Sequence, residues 1–281
     1  MSEERGPREP RETEARNPKA RGLESFTTRQ ILELMNDEDT LVPPAVRAAL
    51  PAVEKAVDAI VGAIAKGGHV IYVGAGTSGR LGVLDASEAP PTFGVEPDLF
   101  HGIIAGGDTA LRSSVEGAED EDWAGRRDVA QIVRRDDVIV GISASGRAPY
   151  VIGGLEAGEN VASATIGITC NADSPLARAA NIPIVVDVGP EVLAGSSRLK
   201  AGTATKLVLN MLSTAAMIRS GRTRGDLMVD LRATNAKLRE RAVRMVREVT
   251  GVDEETARTR LEANDWNVRR SLEAPGGEPR R

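Results

Sequence analysis

The stretch His69–Arg80, HVIYVGAGTSGR, carries the pattern that decides the fold. A short β-branched apolar run passes through glycines and hydroxyl residues into a helical pattern. Similar runs follow at 137–146 (DVIVGISASG), 163–173 (SATIGITCNAD) and 182–190 (IPIVVDVGP), and a weaker one lies at 99–107 (LFHGIIAGG). Nearly continuous apolar strands that alternate with helices are typical of a parallel sheet covered on both faces. The sequence therefore predicts a doubly wound α/β fold.

Helical patterns flank this strand region on both sides. Thr27 and Gln30 fit a capping box that opens a first helix, and a longer helix with a 3.6-residue apolar period follows over 44–68. After the strands, 200–221 is helical, and the chain beyond it has helical patterns only. The parallel sheet is therefore expected to be covered by helices from both ends of the chain.

Composition and pattern divide the chain into four segments. Residues 1–22 are charged, carry prolines and lack apolar periodicity, so they are predicted to be a disordered tail. The α/β domain with its N-terminal helices spans 23–235. A small C-terminal helical region follows over 236–274, and 275–281 is a second disordered tail.

The composition excludes several classes of function. A net charge of −5 and a pI near 5.4 give no electrostatic reason to bind nucleic acid or an anionic membrane. The single cysteine allows no internal disulfide, and the first residues lack the apolar segment of a signal peptide, so a cytoplasmic protein is expected. The only histidines, His69 and His101, lie in strand-like runs, which makes a histidine-based metal site or catalytic triad a poor fit. Carboxylates are the expected carriers of acid–base chemistry.

Two loops that follow strands have the composition of an anion site. Glycines let a backbone approach an anion, and hydroxyls add donors at the start of a helix. The first loop, GAGTSGR, is neither a dinucleotide fingerprint nor a Walker A loop. Hydroxyls and backbone amides without a metal-binding acidic cluster suit a phosphomonoester better than a nucleoside triphosphate. Either loop taken alone fits an ordinary strand-to-helix turn equally well. The candidate phosphate-binding residues are Gly76, Thr77, Ser78, Gly79, Ser143, Ser145 and Gly146.

The segment LDASEAPP (84–91) is predicted to end a helix, with the chain turning at Ala89 before the two prolines. Glu88 then lies near a helix C-terminus, where a negative charge is unfavourable. One reading is a solvated helix end. The other interpretation is a functional role for Glu88, since the helix end and the neighbouring apolar residues favour a protonated carboxyl.

Longer motifs resemble a known family. GAGTSGR (74–80), SASGRAPY (143–150) and GSSRLKAGTATKLVLNMLST (195–214) resemble the sugar isomerase (SIS) fold. LDASEAPPTFG, VEGAED and LMVDLRATNAKL narrow the resemblance to the N-acetylmuramic acid 6-phosphate etherases, over about 26–250. The resemblance makes 23–235 a SIS sugar-phosphate domain. It implies a lyase that eliminates D-lactate from the sugar phosphate and adds water, in cell-wall recycling, as a homodimer without metal or cofactor.

The resemblance also assigns residues. It makes Glu88 the proton donor to the departing lactate and Glu119 the base that takes the C2 proton of the open-chain sugar. Such a pair needs two environments that hold the carboxyls in opposite protonation states. Lys200 is a candidate to neutralise the phosphate, from its own or the partner subunit, and a mere charge at a helix start explains it equally well. Without the resemblance, Glu119 and its acidic neighbours fit a solvated helix.

Two alternatives stay open. A non-catalytic sugar-phosphate-binding regulator of the same fold, such as the glucokinase regulatory protein, would not need both Glu88 and Glu119. A SIS-domain transcription regulator would need a basic helix-turn-helix segment, which the N-terminal region does not supply. Separately, 250–273 resembles a ubiquitin-associated-type three-helix module, on which the chemistry does not depend.

Overall fold

A five-stranded parallel sheet forms the centre of the molecule. The computed structural model describes residues 14–230, 233 and 235–273. The strands have the order β2-β1-β3-β4-β5, and every neighbouring pair is parallel. All five predicted strands and the doubly wound fold are confirmed. The strands are β1 (Val70–Gly74), β2 (Phe100–Ile104), β3 (Val138–Ile142), β4 (Ala164–Thr169) and β5 (Ile182–Val185).

The helices of the described residues cover both faces of this sheet and form a separate group at the C-terminal end. Those before and between the strands are α1 (Thr28–Asp39), α2 (Val42–Ile64), α3 (Gly76–Phe93), α4 (Thr109–Arg112), α5 (Asp122–Ala130), α6 (Pro149–Gly158) and α7 (Pro175–Ala179). Those after the sheet are α8 (Lys200–Arg219), α9 (Ala236–Thr250), α10 (Glu254–Ala263) and α11 (Val268–Glu273). Within the described residues, no helix combines the length and apolar character that crossing a membrane requires.

The core consists of two layers, one on each face of the sheet. Helices α2, α3 and α8 pack on one face, and α5, α6 and α7 pack on the other. Strands β1 and β3 are buried at every position, because each lies between neighbouring strands and below helices on both sides. This burial explains why their sequences are continuous apolar runs rather than alternating ones.

The topology places the two predicted anion loops side by side. The chain leaves β1 toward β2 on one side and returns to β3 on the other, so the strand order reverses between β1 and β3. Gly74 at the end of β1 pairs with Ile142 at the end of β3. The loops that begin at Ala75 and Ser143 therefore start at adjacent points of the carboxyl edge, where open α/β sheets bind ligands.

Helix α3 continues past the predicted stop at Ala89 and ends at Phe93, which corrects the sequence prediction. The two prolines lie in its last turn, where their missing N–H groups remove only two helical hydrogen bonds. Gly94, in the left-handed region with φ +62°, ends the helix by donating its N–H to the Pro90 carbonyl. Glu88 is thus one turn further from the helix end than predicted.

The N-terminal region is ordered earlier than predicted. Residues 1–13 lie outside the described residues, but Pro18–Ala20 and Leu23–Ser25 form 3₁₀ turns and Asn17 is buried. The disordered tail predicted through residue 22 is therefore corrected, because Asn17 donates a hydrogen bond to Glu38 at 2.9 Å. The capping box of α1, with reciprocal hydrogen bonds between Thr27 and Gln30, is confirmed.

Helices α9, α10 and α11 pack around their own apolar core and form a C-terminal module. Arg269 of α11 connects this module to the α/β domain. Its guanidinium contacts both carboxylate oxygens of Asp230 at 2.6 and 2.9 Å and the Gly221 carbonyl at 2.7 Å. The Asp230 carbonyl in turn packs on Gly94 so closely that a Cβ there would lie 1.9 Å from it. The predicted tail at 275–281 lies outside the described residues.

Candidate active site

The loop after β1 presents hydrogen-bond donors at the start of α3. Ala75 occupies the N-cap position without a side-chain cap, so the first N–H groups of α3 have no helical partner. Gly76 is exposed, and Thr77 and Ser78 are half-buried at this edge. Gly79 is a packing residue instead, since its N–H bonds to the Ala75 carbonyl and a Cβ would lie 2.5 Å from Ile104. The Gly79 N–H is thus already bonded within the helix, and the assignment of Gly79 to the phosphate site stays a prediction.

The loop after β3 is held in shape by two of its three candidate residues. The buried Ser143 accepts the Gly146 N–H with its hydroxyl at 3.1 Å and with its carbonyl at 2.9 Å. Gly146 has φ +66° and packs against Ser174, where a side chain would collide. Ser145 is half-buried and accepts the Arg147 N–H at 3.3 Å, which leaves its own hydroxyl proton to donate. Ser145 is the residue of this loop best placed to bind a ligand.

A cavity of about 190 Å³ joins the first anion loop to the segment that carries Glu119. We call it the Glu119 cavity; Gly76, Arg80, Ser114, Glu116 and Glu119 are among its lining residues. Glu119 lies in a 3₁₀ turn, Ala118–Asp120, and is exposed. Its neighbour Glu116 accepts a hydrogen bond from Ser114 at 2.7 Å. The tertiary structure therefore brings Glu119 and its neighbour Glu116 next to the loop after β1.

Glu88 does not reach this cavity within its own chain. It follows Gly76 by twelve residues and Arg80 by eight on the same helix. At a rise of 1.5 Å per residue, these separations correspond to about 18 Å and about 12 Å along the helix axis. Glu88 is also exposed in the single chain, so the apolar surroundings predicted for it from Ala89 and the prolines are not provided by that chain.

Lys200 is buried and forms an ion pair inside the domain. Its Nζ lies 2.6 Å from Glu38, which also accepts hydrogen bonds from Lys19 at 2.8 Å and from Asn17. Its backbone N–H and that of Ala201 donate to Glu191, which caps the start of α8. We call Asn17, Lys19, Glu38, Glu191 and Lys200 the buried charge cluster. Because its ammonium group is paired internally, the predicted phosphate contact of Lys200 is corrected.

The pKa values of two buried carboxyls shift in opposite directions. Burial raises the pKa of Glu38, but hydrogen bonds from the Lys19 and Lys200 ammonium groups outweigh burial and leave that pKa below its ordinary value. Burial also raises the pKa of Asp85, and there the hydroxyls of Tyr72 and Ser213 offset it only in part. Asp85 thereby links β1, α3 and α8.

Sequence reasoning missed Arg80 and the partners of Lys200. Arg80 is the last residue of the GAGTSGR motif and lies one turn after Gly76, so helical spacing places it on the same side of α3. Glu38 and Glu191 carry no local signal, because their partners are distant in the chain or are backbone N–H groups. Across the described ranges, no group of His, Cys, Asp and Glu side chains is arranged to hold a metal ion.

Family descriptions match three parts of the chain. Residues 52–159 match the glucokinase regulatory protein N-terminal SIS domain, and residues 116–215 match the SIS domain. These matches confirm the predicted SIS fold. Residues 241–274 match a UBA-like domain, in agreement with the ubiquitin-associated resemblance of the C-terminal module.

Curated relatives are similar over nearly the whole chain. The N-acetylmuramic acid 6-phosphate etherase of Salmonella typhi is 53% identical over 261 residues, which cover 92% of this chain and 88% of that protein. The protein of the same name from Salmonella agona (strain SL483) is 52% identical over the same length. Among solved structures, a phosphoheptose isomerase from Francisella tularensis is 20% identical, covers 69% of this chain and 100% of its own, and has a TM-score of 0.52. This structural likeness concerns the fold alone.

Proposed function

The chain belongs to the N-acetylmuramic acid 6-phosphate etherase family, and we propose that it cleaves the D-lactyl ether of N-acetylmuramic acid 6-phosphate. The products are N-acetylglucosamine 6-phosphate and D-lactate. The observation that carries the proposal is the Glu119 cavity, which joins a carboxylate to the anion loop at the carboxyl edge of the sheet. A base beside a phosphate site is what deprotonation of a sugar phosphate requires.

The two loops bind the phosphate in this proposal. The unpaired N–H groups at the start of α3 and the hydroxyls of Thr77, Ser78 and Ser145 supply the donors. Ser143 and Gly146 act indirectly, because their mutual hydrogen bonds hold the second loop in shape. The proposed reaction involves no metal and no cofactor.

Two carboxyls carry the chemistry. Glu119 removes the C2 proton, which is acidic because the open-chain sugar has an aldehyde at C1. The electron pair of the C2–H bond forms the C2–C3 double bond, the C3–O bond breaks, and Glu88 donates a proton to the departing lactate oxygen. Water then adds its hydroxyl to C3 and a proton to C2 of this unsaturated aldehyde, which gives the open-chain form of N-acetylglucosamine 6-phosphate. Each general acid or base of this kind contributes about 10²–10⁴-fold to a rate.

A homodimer supplies the missing carboxyl. The proposal places Glu88 of a second copy at this site, and the separation of about 12–18 Å along α3 between Glu88 and the Glu119 cavity of the same chain supports it. An apolar groove of about 580 Å³ between α2 and α8 supports this arrangement, since Leu50, Met211 and Ile218 line it with 38%, 36% and 49% of their surface exposed. A second copy is the occupant proposed for this apolar face.

Release of D-lactate from N-acetylmuramic acid 6-phosphate, measured with purified protein, tests the activity. Mixing the inactive variants Glu88→Gln and Glu119→Gln tests the shared site. In a mixed dimer one site combines Glu119 from one copy with Glu88 from the other, so random exchange restores about a quarter of the wild-type activity. No recovery, with exchange of subunits confirmed by mass spectrometry, would place both carboxyls in one chain.

A cytoplasmic location and a role in cell-wall recycling complete the proposal. The single cysteine is in keeping with a reducing compartment. The alternative, a regulator that binds sugar phosphates without turnover, has in its favour a fold match over 52–159. The etherases match over 92% of the chain, and both glutamates of their motifs are present. These observations favour the enzyme.

A further inference from the structure

The substrate in the proposed function carries two negative groups, and the phosphate loops account for only one of them. The phosphate on C6 meets backbone N–H groups and hydroxyls. The lactyl carboxylate on the C3 ether needs a partner of its own, because an anion enclosed without a donor or a cation is costly. Lys200 does not serve, since it is paired with Glu38 at 2.6 Å. Arg80 lines the Glu119 cavity itself.

The guanidinium group of Arg80 is fixed but not neutralised. Its Nε donates to the Ala110 carbonyl at 2.9 Å, which orients the group toward the segment that leads to Glu119. Among the described residues, no carboxylate forms an ion pair with it, and its terminal NH₂ groups have no further partner. Glu116, in the same cavity, is hydrogen-bonded to Ser114. The planar guanidinium group has two N–H donors side by side, and when these are free it can bind a carboxylate through two parallel hydrogen bonds.

The position of Arg80 favours the carboxylate over the phosphate. Glu119 must approach C2, and the lactyl group is attached to C3, the neighbouring carbon. The phosphate on C6 is further from C2 along the covalent skeleton. Arg80 lines the same cavity of about 190 Å³ as Glu119 and lies one helical turn beyond Gly76, so it can contact the lactyl group of a sugar whose phosphate is bound at Gly76. We propose, on the basis of the proposed function, that Arg80 binds the lactyl carboxylate and so selects the ether substrate over sugar phosphates that lack it.

The test compares two ethers in wild type and Arg80→Gln. One is N-acetylmuramic acid 6-phosphate, and the other is the 3-O-ethyl ether of N-acetylglucosamine 6-phosphate, which has no carboxylate. We expect kcat/KM for the first substrate to fall about tenfold to a hundredfold, from loss of charge-assisted hydrogen bonds. For the ethyl ether, wild type and variant should agree within about twofold. Arg80→Lys should recover part of the loss, because it keeps the charge without the fork.

A matched control and a second reaction separate the possible causes. Arg112→Gln removes an exposed arginine at the end of α4 and should leave both substrates unchanged. Exchange of the C2 proton of N-acetylglucosamine 6-phosphate in heavy water needs Glu119 but no lactyl group, so Arg80→Gln should retain it.

Two results would overturn the proposal. An equal loss of kcat/KM on both ethers would assign Arg80 to the phosphate, and no loss on either would leave it without a role in binding. If Arg80→Gln does not fold, the same comparison of the two ethers is made with Arg80→Lys. Absence of lactate release by the wild type would instead refute the proposed function, so the two failures are distinguishable.

Discussion

The buried charge cluster and the Glu119 cavity contain similar side chains in opposite states. In the cluster, Lys200 and Glu38 are buried and lie 2.6 Å apart, and Lys19 completes the pairing. In the cavity, Glu119 is exposed and Arg80 has no carboxylate partner among the described residues. The first arrangement leaves no charge available to a ligand. The second leaves both a base and a cation open to one.

The difference follows from the cost of desolvation. A charge removed from water must be paired inside the protein, because leaving it alone costs several kcal/mol. A charged group that is exposed to solvent needs no partner inside the protein, so it remains available to bind a substrate. Motif and charge alone made Lys200 a candidate ligand and passed over Arg80, whereas the structure pairs Lys200 with Glu38 inside the domain.

The largest expected effect is the loss of lactate release when Glu119, in the Glu119 cavity, is replaced. Glu119→Gln should lower lactate release about 10²–10⁴-fold, because it removes the base, without a change in the free energy of unfolding. In heavy water it should also lose exchange of the substrate's C2 proton. Glu88→Gln should release little lactate but retain the exchange, since the base survives. Exchange that persists without Glu119 and vanishes without Glu88 would reverse the two roles.

The next effect belongs to the buried charge cluster. Glu38→Gln should lower the free energy of unfolding by about 3–5 kcal/mol, because it leaves the buried Lys200 ammonium without its counter-charge. Urea denaturation measures this change. Lys19→Gln is the control, since the Lys19 side chain is 63% exposed and solvent screens its interaction with Glu38, so a much smaller loss is expected. Equal losses in the two variants would contradict the distinction between buried and exposed partners.

The hydroxyls of the two loops should affect binding more than chemistry. Ser78→Ala and Ser145→Ala each remove a hydrogen bond to a charged phosphate, worth about 1.5–3 kcal/mol. KM should rise tenfold or more, with a smaller change in kcat. Ser163→Ala removes a hydroxyl that donates to the Asp137 carbonyl, at the opposite edge of the sheet, and should not change KM. An unchanged KM in both loop variants would place the phosphate elsewhere.

The smallest expected effect is the pH dependence of stability, which should differ between the buried carboxyl groups of Glu38 and Asp85. The folded-state pKa of Glu38 lies below the ordinary 4.5, so its stabilisation is present above pH 4.5 and is lost as pH falls through the folded pKa. The folded-state pKa of Asp85 lies above the ordinary 3.8, so stability falls as pH rises above 3.8 toward that value. Urea unfolding at several pH values, with Glu38→Gln and Asp85→Asn as references, should show opposite slopes. Slopes of the same sign would contradict this difference in environment.

The sequence by itself determined the sheet and the loops at its edge. Strands such as β1 and β3 are buried on both faces, and this burial appears directly as a β-branched apolar run. Parallel strands also bring their carboxyl ends to one edge, so the residues that follow them form a site whatever their spacing in the chain. The capping box at Thr27 was equally readable, because its partners are three residues apart.

Only the tertiary structure decided which charged side chains are paired inside the protein and which carboxyl groups line the Glu119 cavity. Lys200 and Glu38 are 162 residues apart, and no local pattern reports that folding pairs them. Helix α3 runs through two prolines to Phe93, and Gly94, which ends it, packs against the distant Asp230 carbonyl. The part of α3 between Gly76 and Glu88 separates Glu88 from the cavity of its own chain. Local periodicity records burial, turns and caps, whereas pairing and distance depend on segments that become neighbours only when the chain folds.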